Sequence, residues 1–147
     1  MATVVKDVLT VSSGVIVHPV SCGDQMSGGF SFQVTKKFPK VLQEHIETTL
    51  KRSPLDVLGQ SSVVRVTDEL SVANIYCLIP NNNQNKFEYL AFKQALSRIV
   101  EAFPNINLYF PYKLGCSLQG CSWKEIEKCI KSISKKHVIC IMPRKES

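Results

Sequence analysis

Residues 15–40, "VIVHPVSCGDQMSGGFSFQVTKKFPK", contain the stretch that decides the fold. Residues 14–17 form a continuous apolar run without polar alternation, which predicts a buried strand. A loop of small and polar residues follows at 21–29, and Pro39 ends the helical segment that comes after it. A strand, a loop and a helix in this order predict one unit of an open α/β sheet.

The rest of the chain continues this alternation of strands and helices. Short apolar runs predict five further strands, at residues 3–6, 61–66, 71–79, 106–110 and 137–142. Apolar residues three and four apart predict helices at 40–51, at 87–103 and from Ser122, where Ser122 and Glu125 form a capping-box pattern. The Asn-rich segment 80–86 is predicted to be a loop. We therefore expect one three-layer α/β/α domain over residues 1–147, with a mixed, mostly parallel sheet of about six strands.

The composition is that of a folded globular protein. Hydrophobic residues make up 44% of the 147 residues and charged residues 20%, which argues against a disordered chain. No apolar segment approaches the roughly 18 residues of a membrane span, and the first residues lack the apolar stretch of a signal peptide. We therefore expect an intracellular protein without membrane contact.

The six cysteines are scattered along the chain, without the paired spacing or nearby histidines of a zinc site. Cys77 and Cys140 fall in predicted strands, where a thiol packs as a small apolar side chain. The sequence therefore predicts reduced thiols in a reducing compartment, with no bound metal and no cofactor.

The chain carries a net charge of +6, and its lysines and arginines are spread over the whole length. A positive field speeds the encounter with any anionic partner, so both a small phosphate ligand and RNA fit this charge. The alternative interpretation is that these lysines and arginines are solvated surface residues that bind no partner.

Two of the predicted strands end in connections rich in small residues, at 21–29 and 114–121. In an open α/β sheet, ligands bind at the carboxyl ends of the strands, where such connections lie. Each connection leads to a helix N-terminus, whose free N–H groups favour an anion, and glycine lets the backbone approach a phosphate closely. Neither carries the P-loop lysine or the G-x-G-x-x-G pattern. The pair fits a pyrophosphate held from both sides by backbone amides, and plain turns are the alternative interpretation.

Residues 15–40 and 108–123 resemble the two ligand loops of macro domains. In that family a strand leads to a polar loop with paired glycines and a helix ending in Phe-Pro, and the second loop precedes a helix that opens with Trp. Residues 58–79 are similar to the family's central hairpin, so the resemblance covers essentially the whole chain in order. His18 and the Met-x-x-Gly pattern at 26–29 make the chain most similar to the branch of terminal ADP-ribose glycohydrolases and ADP-ribose 1″-phosphate phosphatases.

The resemblance implies a site for ADP-ribose or a close derivative. It implies that the Asp7 carboxylate accepts a hydrogen bond from the adenine amino group, that amides of residues 115–120 wrap the diphosphate, and that Met142 lies near the adenine. An aspartate near a strand end without a ligand is the alternative interpretation of Asp7. The implied ligand-binding set is Asp7, Val8, Ser21, Gly23, Met26, Gly28, Gly29, Phe30, Pro111, Leu114, Gly115, Cys116, Ser117, Leu118, Gln119, Gly120 and Met142.

Two departures from this branch argue against lysine-dependent deacylation. Asn81 stands where the branch has its nucleophilic lysine, and Gln119 stands where it has its catalytic aspartate. Hydrolysis of ADP-ribose 1″-phosphate stays open, with His18 as a proton shuttle or phosphate contact and Asp24 as its partner. A structural histidine and a solvated loop aspartate are the alternatives.

Three functions therefore fit the sequence. The first is recognition of ADP-ribose or a derivative, with hydrolysis of the 1″-phosphate. The second is an inactive reader or sequestering protein for an ADP-ribose-type nucleotide, which the missing lysine and aspartate favour. The third is weak binding of RNA or poly(ADP-ribose) through the basic surface, which predicts a steep loss of affinity with salt. A thiolate nucleophile is not expected, since no base lies beside Cys22 or Cys116.

Overall fold

The computed structural model describes residues 2–23, 29–82, 84–115 and 122–143. Within them the strands are β1 (Ala2–Val5), β2 (Gly14–Ser21), β3 (Ser61–Arg65), β4 (Leu70–Asn81), β5 (Gln84–Phe87), β6 (Leu108–Pro111) and β7 (His137–Ile141). The α-helices are α1 (Gly29–Lys37), α2 (Pro39–Thr49), α3 (Pro54–Val57), α4 (Tyr89–Ala102) and α5 (Trp123–Ile133). A short 3₁₀ turn covers Val8–Thr10, and Tyr112–Gly115 form a kinked turn in which Lys113 and Leu114 have left-handed backbone angles.

The strands form one sheet in the order β1-β7-β6-β2-β4-β3, and β5 pairs with the far end of β4. The pairs β1–β7, β7–β6, β6–β2 and β2–β4 are parallel, whereas β3 and β5 run antiparallel to β4. The mixed, mostly parallel α/β sheet that the sequence predicts is therefore confirmed.

Helices cover both faces of the sheet, because alternate residues of the central strands point to opposite sides. On one face Val15 and Val17 pack in a cluster that includes Phe92 of α4 and Ile126 of α5. On the other face Ile16 and Val20 pack with buried residues of α1 and α2, among them Val34 and Val41. These two clusters give the predicted three layers and explain why β2 is apolar on both sides.

The segment predicted to be a loop, residues 80–86, is instead part of a hairpin. Strand β4 extends through Pro80 and Asn81 and pairs with β5, in which Phe87 lies opposite Leu78. Asn82 supplies a left-handed turn residue at φ 48°, a conformation that asparagine adopts more readily than most residues. Phe87 is buried and its ring lies 5.4 Å from that of Phe92, so tertiary packing overrides the polar composition of the segment.

The predicted start of the last helix is confirmed. The Ser122 hydroxyl accepts a hydrogen bond of 3.2 Å from the Glu125 N–H and caps α5. The helix before Pro39 ends at Lys37 as predicted, and Pro39 then opens α2, where its missing N–H costs no hydrogen bond. Among the described residues, no helix combines the length and the apolar character needed to cross a membrane.

Candidate ligand-binding cleft

A cleft of about 400 Å³ lies where the parallel strands β1, β7 and β6 end together. This is the edge of an open α/β sheet at which ligands bind, and the volume falls within the range of small-molecule sites. Its walls come from the ends of these three strands and from the start of α1. The lining residues are Lys6, Asp7, Val8, Gly29, Phe30, Gln33, Pro111, Tyr112, Cys140, Ile141 and Met142.

The Asp7 carboxylate is held in place by the turn that follows β1. One of its oxygens accepts a hydrogen bond of 3.0 Å from the Leu9 N–H, so Asp7 caps the 3₁₀ turn. Val8 and Leu9 are buried and anchor the turn in the core. The second carboxylate oxygen has no hydrogen-bond partner among the described residues and remains an acceptor in a cleft-lining side chain.

The opposite wall is the first turn of α1. Gly29 begins the helix at φ 57°, a left-handed conformation that glycine adopts without a steric cost. Phe30 and Gln33 lie three residues apart on this helix, so both side chains reach the same cleft. Lys37 continues this face one turn later and donates to the Leu9 carbonyl, which ties α1 to the Asp7 turn.

The third wall is a strained turn at the end of β6. Lys113 and Leu114 both have positive φ, at 53° and 57°. The Leu114 side chain is fully buried in the core, whereas Tyr112 lines the cleft and its ring lies edge-on to Trp123 at 5.5 Å. The strain is maintained because burial of Leu114 and packing of Tyr112 hold the turn on both sides.

We expect Lys113→Val to be less stable than Lys113→Gly by about 1 to 2 kcal/mol, because a β-branched residue is disfavoured at φ 53°. Lys128 is an exposed residue in the interior of α5 and supplies the matched control. There the order should invert, since glycine is the poorer helix former. Urea unfolding of the four variants measures both differences, and equal stabilities at position 113 would contradict the strain.

His18 lies within β2 and does not line the cleft. Its side chain is fully buried, and Nε2 donates a hydrogen bond of 2.6 Å to Asn74 Oδ1, whose own amide donates to Ser62. Nδ1 has no hydrogen-bond partner in the part of the chain that the structure describes. Burial lowers the pKa of His18 from 6.5 to about 4, so the ring is neutral near pH 7. The role expected of His18 at the ligand stays a prediction, and its burial and hydrogen bond to Asn74 favour the alternative of a structural histidine.

A row of buried polar side chains extends from His18 across the sheet. His18, Asn74 and Ser62 are register partners on β2, β4 and β3, and the Tyr76 hydroxyl lies 3.4 Å from Ser62 Oγ. His45 of α2 ends the row, with Nδ1 at 3.0 Å from the same hydroxyl. This row was not predicted from the sequence, since its members are far apart in the chain and no motif links them.

Six residues of the implied ligand-binding set line the cleft together, namely Asp7, Val8, Gly29, Phe30, Pro111 and Met142. Ser21, Gly23 and Leu114 do not line it: the Ser21 hydroxyl donates to Asn85 at 2.8 Å, and Leu114 is in the core. Gly115 is described in its backbone alone, as the last residue of the turn after β6. The remaining predicted residues lie outside the described ranges, namely Asp24, Met26, Gly28, Cys116, Ser117, Leu118, Gln119 and Gly120.

Five lining residues were missed from the sequence, namely Lys6, Gln33, Tyr112, Cys140 and Ile141. Gln33 could have been found from its spacing to Phe30 on the helix, and Ile141 from its place at a strand end. Lys6 brings a cation to the cleft. Burial raises the pKa of Cys140, so its thiol stays protonated near neutral pH.

The described part of the cleft combines charged groups with apolar side chains. It offers one carboxylate, one ammonium group, the first amides of α1 and an apolar wall. Across the described residues, no group of three or more His, Cys, Asp and Glu side chains is arranged to hold a metal ion. Such a site fits a ligand that has a ring with a hydrogen-bond donor at one end and an anionic portion further along.

Neither a protein-family model nor a curated protein matches the sequence. Among solved structures, a macrodomain protein from Streptomyces coelicolor superposes with a TM-score of 0.77 and 18% identity, over 98% of this chain and 99% of that one. The macrodomain of Mycobacterium tuberculosis DarG gives 0.71 and 17%, over 98% and 99%. Thermosipho africanus DarTG, solved in complex with ADP-ribose, gives 0.67 and 17%, over 92% of this chain and 39% of that one. The chain therefore has the fold of macrodomain proteins.

Proposed function

We propose that the chain is a member of the macro-domain family and that its cleft binds ADP-ribose or a close derivative. The observation that carries this proposal is that six positions implied by the resemblance, distant in sequence, line one cavity at the carboxyl edge of the sheet. A structure neighbour of the same fold was solved with ADP-ribose, which supports the proposal. Similarity to the branch of terminal ADP-ribose glycohydrolases and 1″-phosphate phosphatases rests on His18 and on residues 26–29.

In this proposal the adenine lies between the Asp7 turn and the end of β7. The second oxygen of Asp7 accepts from the adenine amino group, because the first oxygen is already bonded to the Leu9 N–H. Phe30 and Met142 supply apolar contacts to the ring, and Met142 has an exposed side chain in the absence of ligand. The diphosphate then extends toward Gly29 and the end of β6, where free amides and the helix dipole favour an anion.

We propose binding without turnover, in preference to hydrolysis of ADP-ribose 1″-phosphate. General acid–base catalysis needs a titrating group within hydrogen-bond reach of the reacting oxygen. His18 is buried and neutral near pH 7, since desolvation holds its pKa at about 4. Asp7 is the one carboxylate among the described lining residues, and it lies at the end of the cleft assigned to adenine.

Calorimetry with ADP-ribose tests the proposal directly. We expect one site with micromolar affinity, and no detectable phosphate release from ADP-ribose 1″-phosphate by the wild type or by His18→Gln. Absence of ADP-ribose binding would refute the function proposed here. Phosphate release by the wild type would refute the binding-only version. If His18→Gln then released no phosphate, His18 would have a role in the hydrolysis.

Binding of RNA or poly(ADP-ribose) is a second candidate, favoured by lysines beside the cleft. Lys36 and Lys37 follow Gln33 by one helical turn, and Lys40 lies in the first turn of α2. For a polymer the affinity should fall steeply as salt rises, because each phosphate contact releases counterions. ADP-ribose held by amides and Asp7 should show a shallow salt dependence. Affinities of both ligands measured across a salt series separate the two functions.

A further inference from the structure

A second cavity, of about 440 Å³, lies between the end of β2 and the C-terminal end of α2. We call it the α2 cavity. Its apolar wall is formed by Ile46, Leu50 and Pro54, and its cationic rim by Lys51 and Arg52. No described residue lines both this cavity and the cleft at the ends of β1, β7 and β6.

The rim cations are not neutralised within the described residues. The two ion pairs found there join Lys86 to Glu88 and Lys131 to Glu127, and neither involves Lys51 or Arg52. Arg52 donates to two main-chain carbonyls, of Thr48 and Asp56, at 3.3 and 3.2 Å. The nearby Asp56 carboxylate accepts hydrogen bonds from the main-chain N–H and the hydroxyl of Ser53. The rim therefore presents two positive charges to whatever enters the cavity.

The wall beside this rim is apolar and accessible. Ile46 of α2 is 48% exposed and Leu50, which directly follows α2, is 62% exposed, and both side chains line the cavity. Surface aliphatic side chains next to cations suit a ligand with a flat apolar body and an attached phosphate. A nucleoside monophosphate has this combination, and the cavity volume is large enough for one.

Strand order places the α2 cavity at the far end of the cleft. The proposed adenine contact, Asp7, follows β1, and the cavity begins at Cys22 and Gly23, directly after β2. Three strand spacings separate β1 from β2 in the order β1-β7-β6-β2, which is about 14 Å. An elongated ligand that starts at Asp7 and crosses the strand ends is therefore directed at the α2 cavity.

We propose that the α2 cavity binds a nucleoside monophosphate unit next to the distal end of the cleft ligand. The location relative to that ligand rests on the proposed function, whereas the binding itself does not. Lys51 and Arg52 hold the phosphate, and Ile46, Leu50 and Pro54 pack against the nucleoside.

The test is a titration with uridine 5′-monophosphate, whose uracil has no amino group for Asp7, in the absence and presence of saturating ADP-ribose. We expect millimolar binding that is unchanged by ADP-ribose. Uridine and inorganic phosphate, titrated separately, should each bind at least about three-fold more weakly, because each lacks half of the interactions.

Lys51→Gly removes one rim charge, and its φ of 59° suits glycine, so the fold should be retained. We expect it to bind uridine 5′-monophosphate about three- to five-fold more weakly and ADP-ribose unchanged. Lys135→Gln removes an exposed charge just before the N-terminal end of β7, at the sheet edge opposite both sites, and should change neither affinity. Thermal unfolding checks that both variants are folded.

Competition between uridine 5′-monophosphate and ADP-ribose would overturn the proposal, because it would place both ligands in the cleft. An unchanged affinity in Lys51→Gly, or phosphate binding as tight as the nucleotide, would also overturn it. If the nucleotide binds as expected and ADP-ribose does not bind at all, the α2 cavity stands and the function proposed for the cleft fails.

Discussion

Lowering the pH from 7 to 4 is expected to reduce the free energy of unfolding by about 3 kcal/mol through His18 alone. Burial lowers the pKa of this residue from 6.5 to about 4 in the folded state, and its neutral ring donates to Asn74. As the pH falls through 6.5, His18 of the unfolded chain binds a proton, whereas His18 of the folded protein stays neutral. Stability therefore falls between these two pKa values and levels off below about 4, where the folded state is protonated as well.

The matched variant is His18→Gln, whose side-chain amide can still donate to Asn74 and does not titrate in this range. Urea unfolding at pH 7, 6, 5 and 4 should show a flatter profile for the variant than for the wild type, whatever its stability at pH 7. Some pH dependence should remain, because burial also lowers the pKa of His137. Identical profiles for the two proteins would show that His18 does not titrate as its burial requires.

Asp7→Asn is expected to weaken ADP-ribose binding by about 10- to 100-fold, since hydrogen bonds to charged groups contribute about 1.5 to 3 kcal/mol. In the wild type one oxygen accepts from the Leu9 N–H at 3.0 Å, which leaves the second oxygen for the adenine amino group. In the variant the amide oxygen keeps the cap, so the amide nitrogen replaces the second oxygen. A donor then faces a donor, and the fold is preserved because asparagine is also a good N-cap.

The choice of base gives this prediction a second readout. Inosine diphosphate ribose carries a carbonyl in place of the amino group, so Asp7→Asn should shift the preference toward it by at least about ten-fold. Asp68→Asn removes an exposed turn carboxylate outside the cleft and should leave both affinities unchanged. Calorimetry with the two ligands decides the matter: an unchanged preference in Asp7→Asn would mean that Asp7 does not contact the base.

The elements that the sequence predicts correctly are those with a strong local signal. The continuous apolar run of β2, the helix stop before Pro39 and the Ser122 cap are each decided by neighbouring residues. The hairpin at residues 80–87 has no such signal, because its composition is that of a turn. It forms because the long strand β4 offers an edge for pairing and Phe87 finds a place in the core.

The residues of the candidate site also fall into those that the sequence indicated and those that only the structure showed. The resemblance indicated Asp7, Phe30 and Pro111, and strand order then brought them to one cleft with Gln33 and Tyr112, which were missed. Side-chain identity alone did not show which polar residues are accessible. His18 is an example: it lies within β2, where its side chain is buried and donates to Asn74.

Patterns over a few neighbouring residues were sufficient for the α/β class, the mostly parallel sheet and the two connections rich in small residues, because backbone preference and burial periodicity act locally. Which connections meet at one cleft was settled by the order β1-β7-β6-β2, in which β1 and β7 pair across almost the whole chain. That order depends on contacts between residues far apart in the chain, and no local pattern contains it. The burial of His18 and the α2 cavity also depend on contacts between distant residues, so the tertiary structure was needed to find them.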